Sequence, residues 1–331
     1  MRIRLVRPLA LIVGLVLLSG CLARFQLPFG CPPDCVKVNL QDASLGGINL
    51  AGARLNGVIL TGVDLSMADL READLAGANL TGALLIGADL RGADLRGANL
   101  TNVSLIGAKL AKADFGAAIL TGANLTGLDL RETILTAVAL EHAKLVNANL
   151  EGVDLSGVWL LGSNLRGAHL FGAKMAGSLL GNATALSGAN FQGADLREVD
   201  LTGANLSNTD LSGTNLRGAT LVGATLEETK LAGADLRESS FDKATITRTN
   251  LAGARVEGAS FNGTRFGVRV TFAGARLQRA NLGTATVPQV SESGVGGSFS
   301  GLVLTGVRYD TATTWPKNLA LPSGAVLETG Q

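Results

Sequence analysis

Aromatic residues make up only 4% of this 331-residue chain, with one Tyr and two Trp, and there are two His and three Cys. A mixed globular core needs more large rings than that. The 47% of hydrophobic residues is mostly Leu and Ala, set beside 44 Gly, which points to regular stacking of small units. The Cys supply no metal set, because Cys31 and Cys35 lack a third thiol or a nearby His. No cofactor and no metal site are expected. The longest apolar run near the start, Leu9 to Leu18, is too short to span a bilayer comfortably.

What is present begins with a targeting segment over residues 1–20: Arg2, Arg4 and Arg7 form a positive region ahead of that apolar run. Leu18-Ser19-Gly20-Cys21 resembles a bacterial lipobox, which implies cleavage before Cys21 and a lipid on its sulfur. The competing readings are an ordinary cleaved signal and an uncleaved anchor. Leu22 in place of Asp implies, by the same resemblance, the outer membrane of a two-membrane host. Residues 21–36 are then a lipid-anchored tether, in which Cys31 and Cys35 either form a short disulfide or remain free thiols. Without the three leader arginines, 25 basic residues face 27 acidic ones, so neither nucleic acid nor an acidic substrate is implied by the total.

From Leu40 to Leu180 every fifth residue is apolar, and 27 of the 29 positions are Leu, with Phe115 and Met175 as the exceptions. The residue two before each is usually small, as at Ala68, Ala73, Ala78, Ala88, Ala93 and Ala98. A period of five fits neither a helix nor a long strand. It fits a square coil, with two inward residues per side and a tolerant residue such as Gly77 or Asn102 at each corner. The spacing slips by one residue at 181–185 and again at 267–271, where bulges are expected.

Ala-Asp-Leu-Arg-Gly-Ala-Asp-Leu-Arg-Gly-Ala-Asn-Leu at Ala88 to Leu100 resembles the motif of the pentapeptide-repeat family. That resemblance implies an all-β, right-handed quadrilateral parallel β-helix with four repeats per coil, so that residues twenty apart stack. Over residues 37–287 this gives about twelve coils and a rod of about 60 Å. Residues 288–331 read as a turn-rich break and a C-terminal cap built on Tyr309, Trp315 and Pro316.

Column arithmetic then places the candidate sites. His142 falls at a corner and His169 beside Leu170, two sides round and more than a coil on, so they cannot converge on one substrate and no enzyme is expected. Asp74, Asp94 and Asp114 stack, which should raise their pKa values unless compensated. Salt ladders with Arg71, Arg91, Arg96 and Arg131 are one reading and a divalent cation another. A stacked column, Thr61, Thr81, Thr101 and Thr121, is most simply strand-favouring Thr. An outward apolar strip of Ile119, Trp159, Leu161 and Leu179 marks an interaction surface for a protein partner or for self-association. The last coils form a basic end of Lys243, Arg248, Arg255, Arg265, Arg269, Arg276 and Arg279 against Glu257 alone.

The expected protein is thus a non-enzymatic, envelope-anchored scaffold with a lipid-held membrane partner and no nucleic-acid partner. Two alternatives accompany it. One, implied by the resemblance to the pentapeptide-repeat family, is a DNA-mimicking, gyrase-interacting rod, which the near-neutral charge and the export signal oppose. The other is binding of an anionic envelope polymer or lipid through the basic end.

Overall fold

The computed structural model describes residues 40–181, 184–286, 304, 307–315 and 325–327. Residues 1–20, expected to be a targeting segment, and Cys21, Cys31, Cys35 and Pro316 lie outside the described residues. Within each five-residue unit the physics is local. Ala73 and Leu75 point inward and are fully buried, while Asp74 between them points out. Ala76 and Gly77 then turn the chain, and the Ala78 N–H donates to the Leu75 carbonyl at 3.0 Å. Gly77 has φ 63°, the left-handed conformation that the third residue of such a turn requires. Asn102 takes the same corner conformation at φ 57°, at some steric cost that glycine avoids.

Four such turns close a coil, and coils stack through parallel rungs. The Leu75 N–H donates to the Asp94 carbonyl at 2.7 Å and the Asp94 N–H to the Ala73 carbonyl at 2.9 Å. The result is a right-handed, four-sided parallel β-helix. The outward residues of one coil, Trp159, Asn164, His169 and Lys174, serve to name its sides. On the Trp159 side thirteen residues stand in one unbroken ladder from Ile59 to Thr314, which at about 4.8 Å per rung is about 58 Å of rod. The partner offset is twenty residues, widening to twenty-one across Gly181–Thr184 (Asn164 pairs Ala185) and again across Val268 (Asn250 pairs Thr271). Val268 is exposed at the second step.

Most rungs are single residue pairs. Short strands form at β1 (Thr225–Glu227), β2 (Thr245–Thr247) and β3 (Arg265–Phe266), which pair in parallel on the Asn164 side; β-branched Thr225, Thr245, Ile246 and Thr247 favour extended backbone in the first two. The second offset is filled by rings. Phe241 stacks on Phe261 at 5.0 Å between centroids, and Phe261, Phe266 and Phe272 make a triangle with centroid separations of 5.8 to 6.0 Å. Many inward positions of the C-terminal half carry hydroxyls in place of Ala. Thr229 Oγ1 donates to the Leu206 carbonyl at 2.9 Å, and Thr249 Oγ1 to the Leu226 carbonyl at 2.8 Å, so a buried polar atom reinforces the rung below it.

Beyond residue 286 the ladder continues. Arg308 pairs Arg276 and Thr314 pairs Asn281, while β4 (Arg308–Tyr309) pairs β5 (Val326–Leu327). Tyr309 and Trp315 meet edge to face at 5.6 Å and pack on the end of the core. Thr313 Oγ1 donates to the Leu277 carbonyl at 2.8 Å, tying this segment to the last full coil. Among the described residues no helix is long and apolar enough to cross a membrane.

Candidate interaction surface

The four sides differ sharply in charge. On the Lys174 side eleven of the thirteen outward residues from Arg54 to Arg308 are charged, whereas on the Trp159 side only Asp200 is. The middle of the Trp159 side is apolar: Ile119, Ala139, Trp159 and Leu179 are successive rungs, with Ile119 and Leu179 each 42% exposed and Trp159 58% exposed. Leu161, 46% exposed, extends this patch over the adjoining corner. Along the opposite edge the corner residues are small, with Gly116, Ala117, Thr136, Ala137, Ser156, Gly157, Ala176 and Gly177 in four coils. Nothing tall flanks the Trp ring there.

Charge resumes at both ends of this stretch, where Arg96 pairs with Asp94 at 2.5 Å and Arg197 with Asp195 at 2.7 Å. Glu141, at the far corner, accepts a bond from Thr121 at 3.4 Å. The arrangement is a flat apolar strip, framed by ion pairs. Sequence reasoning missed other outward apolar side chains, notably Met67, Ile134 and Phe171. Phe171 is 53% exposed at the corner diagonally opposite Leu161, so it belongs to a different surface. The same outward-position rule finds it.

On every side, each outward Asp or Asn first serves its own turn. Asp94 Oδ1 accepts the Arg96 N–H at 3.0 Å and Asn99 Oδ1 the Thr101 N–H at 3.0 Å. In Asp-Leu-Arg units the guanidinium then folds back onto the carboxylate, as in Arg71–Asp69, Arg91–Asp89, Arg131–Asp129 and Arg237–Asp235. Like-charge stacking in the Asp column is compensated at Asp94. Hydrogen bonding from Arg96 holds its carboxyl below the ordinary range, outweighing the opposing effect of partial burial. Asp69 and Asp89 are held down in the same way, by Arg71 and Arg91. The partner two residues along in the same unit wins over the like charge one rung away. Among the described residues no three Asp, Glu, His or Cys side chains are grouped to hold a metal ion.

His142 occupies a corner at φ 59°, stacked against Gly162, and His169 stands on a different side as the outward rung between Asn149 and Asn190. They do not come together. A shallow groove lined by Arg71, Glu72, Arg91 and Lys112 holds no nucleophile beside a base.

The seven basic residues of the last coils are distributed round the rod. Arg255 and Arg276 are successive rungs of the Lys174 side and Arg265 a rung of the Asn164 side, while Lys243, Arg248, Arg269 and Arg279 sit at corners with positive φ. Two of them are neutralised. Arg248 pairs with Glu227 and Glu228, and Arg255 lies 3.4 Å from Asp235 and 3.8 Å from Glu257.

Among solved structures, the chain is similar to HetL, a pentapeptide repeat protein involved in heterocyst differentiation regulation from the cyanobacterium Nostoc. The identity is 26% over 86% of this chain and 94% of that one, with a TM-score of 0.17. It is also similar to full-length QnrB1, a plasmid-mediated fluoroquinolone resistance protein, at 17% identity over 81% and 92% of the two chains and a TM-score of 0.25. A pentapeptide repeat protein from the Arabidopsis thaliana thylakoid lumen matches at 23% identity over 48% and 71%, with a TM-score of 0.10. No match was found among curated proteins. Two family models, both described as pentapeptide repeats, match residues 34–71, 64–102, 98–136, 134–172, 148–184, 184–221 and 219–258 in one case and 241–286 in the other. With the repeat geometry seen in every coil, these matches across most of its length establish that the chain belongs to the pentapeptide-repeat family.

Proposed function

We propose that the protein is a non-enzymatic scaffold that engages a protein partner through the strip centred on Trp159. We further propose that it works in the bacterial envelope, exported and held to a membrane by lipid on Cys21. The observation that carries the first reading is the run of large apolar side chains on successive rungs of the side that carries the least charge, where Asp200 alone of thirteen outward residues is charged. The repeat accepts Asn, Asp or Thr at those outward positions and uses them in neighbouring coils, so folding does not require Trp there. Exposed apolar area on successive rungs is the usual mark of a contact surface, and a flat side presents it to another flat surface. The leader-like segment and the lipobox-like stretch at Leu18 to Cys21 support the second reading.

One experiment addresses both readings. Native-envelope crosslinking and sedimentation are compared for wild type, Cys21→Ala and Trp159→Asp. A buried Trp anchor contributes on the order of 2 kcal/mol or more, so Trp159→Asp is expected to weaken association at least tenfold with the β-sheet circular dichroism unchanged. Cys21→Ala is expected to release the protein from the membrane fraction. Unaltered crosslinks and oligomeric state in Trp159→Asp would refute the contact surface; unaltered fractionation of Cys21→Ala would refute the anchor.

A further inference from the structure

The charge of the rod is segregated along its length. Residues 40–242 carry fourteen basic and twenty-two acidic side chains, whereas residues 243–286 carry seven basic and one acidic. After Arg248 and Arg255 are set aside as ion-paired, Lys243, Arg265, Arg269, Arg276 and Arg279 have no carboxylate within salt-bridge distance among the described residues. These five lie at different azimuths: three corners, the Asn164 side and the Lys174 side. From Lys243 to Arg279 is about two coils, or about 10 Å of rod. They form a ring of unpaired cations around one end of a net-acidic shaft.

We infer that this end of the rod docks against an anionic phospholipid surface, with the shaft directed away from it. The shape of the charge selects this ligand. A linear polyanion tracks a column along the rod, and the stacked cations here are interrupted: in the column of Arg255, Arg276 and Arg308, Arg255 is held by Asp235 and Glu257, and in the corner column of Arg248 and Arg269, Arg248 is held by Glu227 and Glu228. A plane met end-on addresses every azimuth at once, which is what a ring offers. The acidic shaft is repelled by the same surface and so resists lying flat on it. Beyond the ring, Val326 and Leu327 are exposed on the rungs above Arg308 and Tyr309, and the Tyr309–Trp315 pair lies beneath them. Apolar tips and amphipathic rings suit the headgroup layer. Arg276 and Arg279 lie about one to two rungs from that tip, about 5 to 10 Å, comparable to the screening length at physiological salt. The inference is independent of the Trp159 strip and of the lipid anchor.

The test uses the full chain immobilised by its N-terminus, over which vesicles of phosphatidylcholine, or of phosphatidylcholine mixed with phosphatidylglycerol, are passed. Binding is expected for the anionic vesicles alone, and to fall steeply as salt rises. A cation near such a surface contributes on the order of fivefold in affinity, so Arg276→Gln with Arg279→Gln should lower vesicle affinity at least fivefold. Lys112→Gln with Lys144→Gln removes the same charge from the shaft and should not weaken it. Equal loss in the two double variants, salt-insensitive binding of the wild type, or equal binding to both vesicle types would overturn the inference. Displacement by inorganic polyphosphate at a lower phosphate concentration than the vesicles supply would overturn it in favour of a soluble polymer. If the Arg276/Arg279 variant loses its β-sheet circular dichroism, Arg269→Gln, at an exposed corner, takes its place with a several-fold loss expected and an unchanged affinity counting against the proposal.

Discussion

Leu is the commonest residue at the repeat's central inward position, so replacing Phe261 with Leu restores the repeat's own preference, yet the packing predicts a loss of stability. Phe261 is fully buried and is the hub of the ring cluster: it stacks on Phe241 at 5.0 Å and 7°, and meets Phe266 at 5.8 Å and Phe272 at 6.0 Å. Aromatic pairs contribute about 0.5–1.5 kcal/mol each beyond their burial, and these three share one ring, so their sum is an upper bound. Adding the void left beside the second register offset, Phe261→Leu is expected to cost about 2–3 kcal/mol. Because each coil of a solenoid contacts only its neighbours, the loss should be local. Hydrogen exchange should speed up in residues 241–286 and stay unchanged in residues 50–150. Phe191→Leu provides the control, since Phe191 is equally buried and has no ring contact among the described residues. It should cost less than about 1.5 kcal/mol. Equal protection changes for the two substitutions, or none near Phe261, would refute the reasoning.

Two further outcomes follow from the inside and outside of the coil. Leu95→Asp buries an unpaired carboxylate among fully buried neighbours and should unfold several coils, while Arg96→Asp on the exposed corner should melt near wild type; equal melts would contradict the orientation. Because Asp69, Asp89 and Asp94 have pKa values depressed by their own-unit arginines, the stability they add is present above the ordinary value of 3.8 and is lost as pH falls below it. Melting temperature should therefore be flat with respect to these groups from pH 7 down to about 4 and decline below that, and a decline that begins well above pH 5 would point to other groups.

How much of this was readable in the sequence follows from the range of each interaction. The period of five, the inward Ala73 and Leu75 and the corner role of Gly77 and Asn102 depend on neighbours a few residues away, and a sequence displays those directly. The Asp94–Arg96 pair is equally local, and a salt ladder through Arg96 was among the readings the sequence offered; its position within one unit, rather than between rungs, appears only in the structure. The hydroxyls at Thr229 and Thr249 read simply as small inward residues. Their bonds to the carbonyls of Leu206 and Leu226 depend on the coil beneath, across an offset a sequence does not print. The same applies to Arg248, whose partners Glu227 and Glu228 are close only after a full turn of the coil. The ring cluster joins three sides of the rod at a register offset, so its members look like scattered exceptions to Leu until the coil is closed.

The direction of the backbone hydrogen bonds has a mechanical consequence. Every rung bond, such as Leu75 N–H to the Asp94 carbonyl, runs along the rod, parallel to a force that pulls its two ends apart. Under such tension the terminal coil carries the load first and peels away before the next is disturbed, so rupture is sequential. Each coil occupies about 4.8 Å of rod but contains twenty residues, which extend to about 70 Å when freed. A rod held at both ends would therefore lengthen more than tenfold, one coil at a time. It would behave as a shock-absorbing reel, giving way in even steps while the coils not yet reached keep their shape and their surfaces.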